Sequence, residues 1–314
     1  GVLNPVLTLQ QNRERIARRT IAALGYNECV TYSFIDTESA KLFGGGADAT
    51  MLSNPISSEM SHMRPSLLPG LLQAAARNQA RGILDMALFE VGAVWHGGEP
   101  DDQETQASGV LIGSTGPKDV YNTRRAVDIF DAKADVEMVL NALGSPNKVQ
   151  FQRGLSDWWH SGRSARMALG KTSLAVFGEI HPKVLATLNV KGPVVAFVVH
   201  TKNIPTPKVK SATRSALHLK SFQAVERDFA FVVDQSVEAI TLVNAAKAAD
   251  KFLIEDVRVF DEFFSDVLGE GRKSLALTVR LQPTEATLKD SEIEAVAMKV
   301  VEKVIKATGG VLRT

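Results

Sequence analysis

The order of periodicities over the closing third of the chain constrains the fold more than any other feature. Residues 228–233 form an apolar, β-prone run suited to a central strand. Ser236 is the expected N-cap of a helix, with Glu238 in its first turn and Val237, Ile240 and Val243 recurring along one face. Residues 252–260, carrying Ile254, Val257 and Val259, predict a second strand. Past a loop with Gly269 and Gly271, residues 273–281 alternate Leu275, Leu277, Val279 and Leu281 with Ala276, Thr278 and Arg280, the pattern of a strand with one buried face. Ile293, Val296, Ala297, Val300, Val301, Val304 and Ile305 then repeat at helical spacing, and Ser291 and Glu294 have capping-box spacing. Gly309-Gly310 ends that helix, and Val311-Leu312-Arg313 returns as a short strand. The sum is βαββαβ, the split βαβ or ferredoxin-like plan.

The preceding part reads as a mixed α and β domain. Helices are expected over residues 6–24, stopped by Gly25, over 69–81 before Gly82, over 128–143, and briefly after Pro182. Strands are expected over 28–34, 86–95, 109–112, 164–169, 174–180 and 193–200. Short strands joined by brief turns predict a mostly antiparallel sheet with helices packed on it. Gly44-Gly45-Gly46 marks a loop tip. Between the two parts, residues 201–220 hold Pro205 and Pro207 and five basic residues, Lys202, Lys208, Lys210, Arg214 and Lys220, with no acid. Such a run is either a solvated linker or a phosphate contact. The expected division is a first domain over 1–205, a basic linker over 206–220 and a second domain over 221–314.

With 314 residues, 45% of them hydrophobic and 23% charged, the chain has the makings of a soluble protein with a sizeable core. Its net charge of +1 means that any nucleic-acid contact comes from local patches. Cys29 is the sole cysteine, so no intrachain disulfide forms, which fits a reducing cytoplasm. No apolar run is long enough to span a membrane and no secretory signal pattern opens the chain. It starts at Gly1 rather than methionine and reads as a piece of a longer protein.

The usual catalytic signatures are missing. There is no Walker-type phosphate loop, no G-x-G-x-x-G after a strand and no G-x-S-x-G elbow. The six histidines are scattered and no zinc site is expected. Glu99, Asp101, Asp102 and Glu104 read as an acidic surface turn rather than a cation loop. Trp158-Trp159 predicts one core ring and one edge ring.

Short stretches scattered through the chain add a further expectation. They are Leu24-Gly25-Tyr26, Thr31-Tyr32-Ser33-Phe34, Asn54-Pro55-Ile56-Ser57, Met63-Arg64-Pro65-Ser66-Leu67-Leu68-Pro69-Gly70-Leu71-Leu72, Asn78, Phe89-Glu90-Val91-Gly92, Gly162-Arg163-Ser164-Ala165 and Gly178-Glu179-Ile180-His181-Pro182. Phe222 to Val225, Arg227-Asp228, Val259-Phe260-Asp261, Lys273 to Leu277 and Thr287-Leu288 follow. In this order and spacing the whole chain resembles the C-terminal half of the bacterial phenylalanyl-tRNA synthetase β subunit. The resemblance implies an α+β chain: a class II synthetase-like antiparallel sheet with flanking helices, then a ferredoxin-fold anticodon-binding domain. It implies a catalytically silent core. Class II sites clamp ATP phosphates with Arg in R-x-E and G-x-G-x-x-R, but Arg64 is followed by Pro65-Ser66 and the second pattern is absent.

By the same resemblance, Asp261, Phe263, Ser274 and Arg313 would hold the anticodon stem-loop of the phenylalanine tRNA, with Arg227, Arg272 and Lys273 as phosphate contacts. The family often has Tyr at the position of Phe263, whose other reading is a core ring among Phe260 and Phe264. No catalytic residue and no metal ligand is expected here. ATP and Mg belong to the whole ligase, an (αβ)₂ assembly in the cytoplasm, whose catalytic α subunit and second β subunit would be partners. The other function considered is an amino-acid-sensing regulatory module on the ferredoxin-like fold.

Overall fold

In the computed structural model, residues 6–146, 148–206, 216–217 and 219–313 are described. The chain separates into two compact units, dividing between residues 210 and 211. Most of the expected linker over 206–220 lies outside the described residues.

The first unit contains helices α1 (Leu9–Ala23), α2 (Thr37–Leu42), α3 (Leu68–Gln79), α4 (Ile129–Ala142) and α5 (Pro182–Thr187). Its strands are β1 (Asn27–Glu28), β2 (Phe34–Ile35), β3 (His62–Met63), β4 (Met86–Trp95), β5 (Gln103–Ile112), β6 (Gln150–Gln152), β7 (Trp159–Leu169), β8 (Thr172–Ile180) and β9 (Val194–His200). Seven of these form a sheet in the order β1-β4-β5-β9-β8-β7-β6, while β2 and β3 pair separately. Every pairing in the large sheet is antiparallel except β1 with β4.

Both faces of this sheet are covered. Val195, Phe197 and Val199 of β9 meet residues of α1 and α4, among them Ile21, Ala132, Val136 and Leu140. The alternate residues Val194, Ala196 and Val198 meet Leu68, Leu71 and Leu72 of α3 and Val184 and Leu185 of α5. Burial on both sides removes the need for alternation, which is why β9 reads as one apolar run. The helices begin at local signals. Thr8 caps α1 in a capping box with Gln11, and Asp128 caps α4 by accepting from the backbone of Phe130 and Asp131.

The expected strand over 28–34 is broken. Cys29 N–H still reaches Phe89 O, but the chain then leaves the sheet, and Thr31 Oγ1 bonds Glu90. Gly44-Gly45-Gly46 is packed rather than a free tip, with Pro65 and Trp158 against it. The tryptophan pair divides as expected, Trp159 being buried and Trp158 partly buried beside Phe43.

The second unit contains β10 (Val225–Asp234), α6 (Ala239–Lys247), β11 (Ile254–Phe263), β12 (Arg272–Leu281), α7 (Asp290–Thr308) and β13 (Val311–Leu312). The sheet order is β11-β12-β10-β13, all antiparallel, so the expected βαββαβ plan holds. Leu275, Leu277, Val279 and Leu281 face Leu242 of α6 and Ile293, Val296, Val300 and Val304 of α7 in one core.

Three local expectations are corrected. Ser236 does not cap α6; it folds back on Asp234 Oδ1, and the helix starts three residues later, with Leu242 and Ala246 rather than Ile240 on its buried face. The start of α7 is held not by Ser291 and Glu294 but by Glu292, which accepts the backbone N–H of Lys289. Finally, Ile305 is exposed, so the buried stripe of α7 is narrower than the apolar pattern. The helix does stop at Gly309, which takes φ 65° and donates its N–H to Ile305 O.

Candidate functional site

The helices cover one face of the second unit's sheet and leave the other open. Which residues reach the open face is decided by the ladder, because directly paired residues share a face. Val257 pairs with Val279 and Val259 with Leu277, on the helix side. A register shift then intervenes between Val259 and Asp261, so Asp261 pairs with Ala276 and Phe263 with Ser274. This bulge turns Asp261 and Phe263 to the open face; simple alternation from Val259 would have placed both under the helices.

Two adjacent rows result. One runs Phe263, Ser274, Val232 and Val311; the next runs Asp261, Ala276 and Ala230. Arg313 joins the second row, donating its backbone N–H to Ala230 O at 2.7 Å. Its guanidinium carbon lies 5.6 Å from the centre of the Phe263 ring, a cation–π distance. Phe263 is half-exposed, Asp261 is exposed without a hydrogen bond or ion pair among the described residues, and Ser274 is buried. Arg272 is exposed at the end of the same face, opposite Asp234.

The other two expected contacts lie elsewhere. Lys273 shares the side of Leu275 and Leu277; its side chain is 7% exposed and its Nζ lies 3.0 Å from Glu262. Arg227 shares the side of Phe229 and Phe231, pairs with Glu294 of α7 at 3.8 Å, and lies against Ile293 and Val296. Adjacent residues on a strand point oppositely, so Arg272-Lys273 cannot both reach one surface.

The far half of the open face is committed internally. Glu226 lies 3.2 Å from Arg280 and 3.4 Å from Arg258; Arg280 also reaches Glu255 at 3.0 Å, and Thr278 donates to Asp228 at 2.6 Å. The charges therefore satisfy one another beside an aromatic end whose Asp261 is unpaired.

The first unit has a polar region that brings together the motif residues Thr31, Arg64 and Glu90. On the α3 side of the sheet, apolar residues give way to Glu90, Gln106, Ser108 and His200. Arg64 enters this region from the segment before α3. Its guanidinium donates to Glu90 Oε1 at 2.8 Å, to Thr31 Oγ1 at 2.9 Å and to Ala93 O at 2.9 Å. Both members of the ion pair are about 95% buried. Gly92 makes room for it, since a Cβ there would meet Arg64 Nη2 at 2.6 Å.

One strand step further, Glu104 Oε1 accepts from Gln106 Nε2 at 2.6 Å, His96 Nε2 at 3.1 Å and His200 Nδ1 at 3.2 Å. Burial alone would raise the Glu104 pKa, but the hydrogen bonds from His200, His96 and Gln106 outweigh it and hold the carboxyl well below the usual range. Glu104 also raises the pKa of His96 through its hydrogen bond. The acidic residues beside it do not converge: Asp102 Oδ2 accepts the backbone N–H of Glu99. Among the described residues no group of three or more His, Cys, Asp or Glu is placed to hold a metal ion, and no helix is long and apolar enough to cross a membrane.

Residues 3–200 match the model of the phenylalanyl tRNA synthetase beta chain CLM domain. The chain belongs to the phenylalanyl-tRNA synthetase beta chain family. Residues 221–313 match the ferredoxin-fold anticodon binding domain, the unit whose open face carries Asp261, Phe263 and Arg313. The chain is 66% identical to the phenylalanine–tRNA ligase beta subunit of Ruegeria pomeroyi, over all of this chain and 39% of that one. It is 63% identical to the Cereibacter sphaeroides beta subunit over the same shares, and 50% identical to that of Rhodospirillum rubrum, over 98% of this chain and 39% of that one. It thus spans about two fifths of the length of these relatives. A pyrrolysyl tRNA synthetase structure from Desulfitobacterium hafniense is similar at TM-score 0.46 and 15% identity, over 60% of this chain and 64% of that one. Membership in the beta chain family agrees with the resemblance carried by the scattered motifs.

Proposed function

We propose that this chain is the tRNA-holding, non-catalytic part of a phenylalanine–tRNA ligase β subunit. The observation that carries it is the meeting of Asp261, Phe263 and Arg313 on the open face, with Ser274 between them in the ladder. The chemistry of this surface suits a splayed single-stranded base. Phe263 supplies a stacking platform, Arg313 a cation beside it, and the unpaired Asp261 accepts from base N–H donors, such as those on the Watson–Crick edge of a guanine. Ser274 pairs directly with Phe263 in the ladder and is buried beside it. Arg272 is the phosphate contact that this face supports. Lys273 and Arg227 contribute to the fold instead, through Glu262 and Glu294.

The domain reading is a class II synthetase-like core over 1–205, a basic linker over 206–220 and the anticodon-holding domain over 221–314. The core is catalytically silent in this proposal. Its buried Arg64 is held inside the protein by Glu90, Thr31 and Ala93, and the R-x-E and G-x-G-x-x-R patterns of a class II site are missing. Its role is to pack against the catalytic α subunit and a second β subunit of an (αβ)₂ enzyme in the cytoplasm. ATP and Mg act in the whole ligase and no step is assigned to them in this chain.

The test is binding of a fluorescent anticodon arm of the phenylalanine tRNA to the chain and to its Asp261→Ala and Phe263→Ala variants. Both variants should bind more weakly while an anticodon arm of another tRNA binds no better than before. Unchanged affinity in both would remove the assigned surface. Phenylalanine-dependent ATP–pyrophosphate exchange by the chain alone should be absent; sustained turnover would reject the silent core.

A further inference from the structure

Core burial along β11 stops before its reading end. Val257 is buried, whereas every residue from Val259 to Phe263 is exposed. β11 is also the edge strand, so these last residues are laddered to β12 on one side only. A strand end with little burial and a single neighbour is where local opening concentrates. Asp261 and Phe263 lie in that end. Glu262, between them, pairs with Leu275, and Lys273 pairs with Val233, both core residues. Glu262 and Lys273 therefore share the covered side of the sheet as diagonal neighbours, with Nζ 3.0 Å from Oε1. The Lys273 side chain is 7% exposed and that of Glu262 47%. A buried ammonium has to be met by an anion, and Glu262 is the one that meets it, so this contact is harder to open than a surface pair.

The pair grips the one residue that separates Asp261 from Phe263, and neighbours along a strand point to opposite faces. We infer that Glu262 and Lys273 are positioning residues for the tRNA-reading surface: from the covered side they pin the end of β11, so that Asp261 and Phe263 stand preformed on the open side. The inference rests on the anticodon-holding reading. Lys273 acts through Glu262 without touching the RNA. A preformed surface binds without first losing the entropy of ordering its own residues.

The test is Lys273→Met in the 314-residue chain. Methionine fills the buried site and leaves the half-exposed Glu262 solvated, so the melting temperature should hold. Hydrogen exchange over residues 261–263 should accelerate while residues 254–257 stay protected. Affinity for the phenylalanine tRNA anticodon arm should fall about fivefold or more. The salt slope of binding should not change, whereas loss of a phosphate contact would lower it. Glu262→Gln is the second variant and serves alone if Lys273→Met does not fold. Removing a negative charge beside RNA would by charge alone tighten binding; a weakened anchor loosens it instead. Unchanged exchange or unchanged affinity in Lys273→Met, a lower salt slope in that variant, or tighter binding by Glu262→Gln would each overturn the inference. Phe263→Ala, measured alongside, separates the two proposals. If it weakens the arm and Lys273→Met does not, the anchor fails and the anticodon reading stands; if neither weakens the arm, both fail.

Discussion

The two units use their sheets in opposite ways. In the first, β9 sends Phe197 into one core and Val198 into another, so each residue from Val194 to Val199 has a packing duty. In the second, β12 sends Leu277 into a core and leaves Ala276 and Thr278 on the face that, among the described residues, α6 and α7 do not cover. A sheet covered on both sides gains stability from each position and has no broad surface to offer. A sheet covered on one side keeps a surface whose residues are free to be chosen for a ligand. The difference predicts that substitutions in β9 act on folding, whereas substitutions on the open face of the second unit act on binding.

The strongest break of this contrast is in the first unit. Phe197 is fully buried and packs edge-on against Tyr26 at 5.9 Å. Phe197→Ala should cost about 3–5 kcal/mol of stability in chemical denaturation. Arg64→Met should cost a similar amount, about 3–5 kcal/mol, because Glu90 is then left charged and buried. Adding Glu90→Met should return much of that loss. A double variant no better than Arg64→Met would show that packing around Gly92, not the stranded charge, sets the cost.

On the open face the expectation inverts. Phe263 is 43% exposed, so Phe263→Ala should change stability by less than about 0.5 kcal/mol. It should still weaken the anticodon arm by about 1–3 kcal/mol, read as a shift in Kd at fixed salt. A large loss of stability with unchanged binding would make Phe263 a core ring, the other role that Phe260 and Phe264 nearby suggested.

How far these outcomes were legible in the sequence depends on the kind of signal. Alternation in β12 and the helical stripe from Ile293 to Val304 were plain, because one buried face imposes a period. The faces of β11 were not, because the bulge between Val259 and Asp261 leaves no mark in the residue pattern. Motif resemblance, not periodicity, pointed to Asp261 and Phe263. It also pointed to Lys273, which the ladder places on the helix side with Glu262. The cluster of His96, Glu104, Gln106 and His200 was invisible for a different reason. Its members lie up to 104 residues apart: the β4–β5 hairpin brings His96 beside Glu104, and the pairing of β5 with β9 sets Gln106 opposite His200.

That cluster allows a pH test within the first unit. The folded state holds the Glu104 carboxyl below its unfolded value near 4.5. Such a group contributes stability above the unfolded pKa and loses it as pH falls below that value. The wild-type melting temperature should therefore drop more steeply below about pH 4.5 than that of Glu104→Gln, and a parallel decline of the two proteins would remove Glu104 from the acid response.

The smallest expected effect sharpens the division of the open face itself. Arg258 sits in the charged half, 3.4 Å from both Glu226 and Asp256, with a side chain 63% exposed. Surface pairs of this kind are worth about 0–1 kcal/mol and weaken with salt. Arg258→Ala should thus move stability by no more than about 0.5 kcal/mol and leave anticodon-arm affinity unchanged. Arg313→Ala, on the aromatic half, should weaken the same affinity. If Arg258→Ala weakened binding as much as Arg313→Ala, the whole open face would be a basic nucleic-acid surface, and the salt slope of binding would fall in both variants. If only Arg313→Ala does so, the ion-paired half is a structural margin and base contact is confined to the two rows around Phe263.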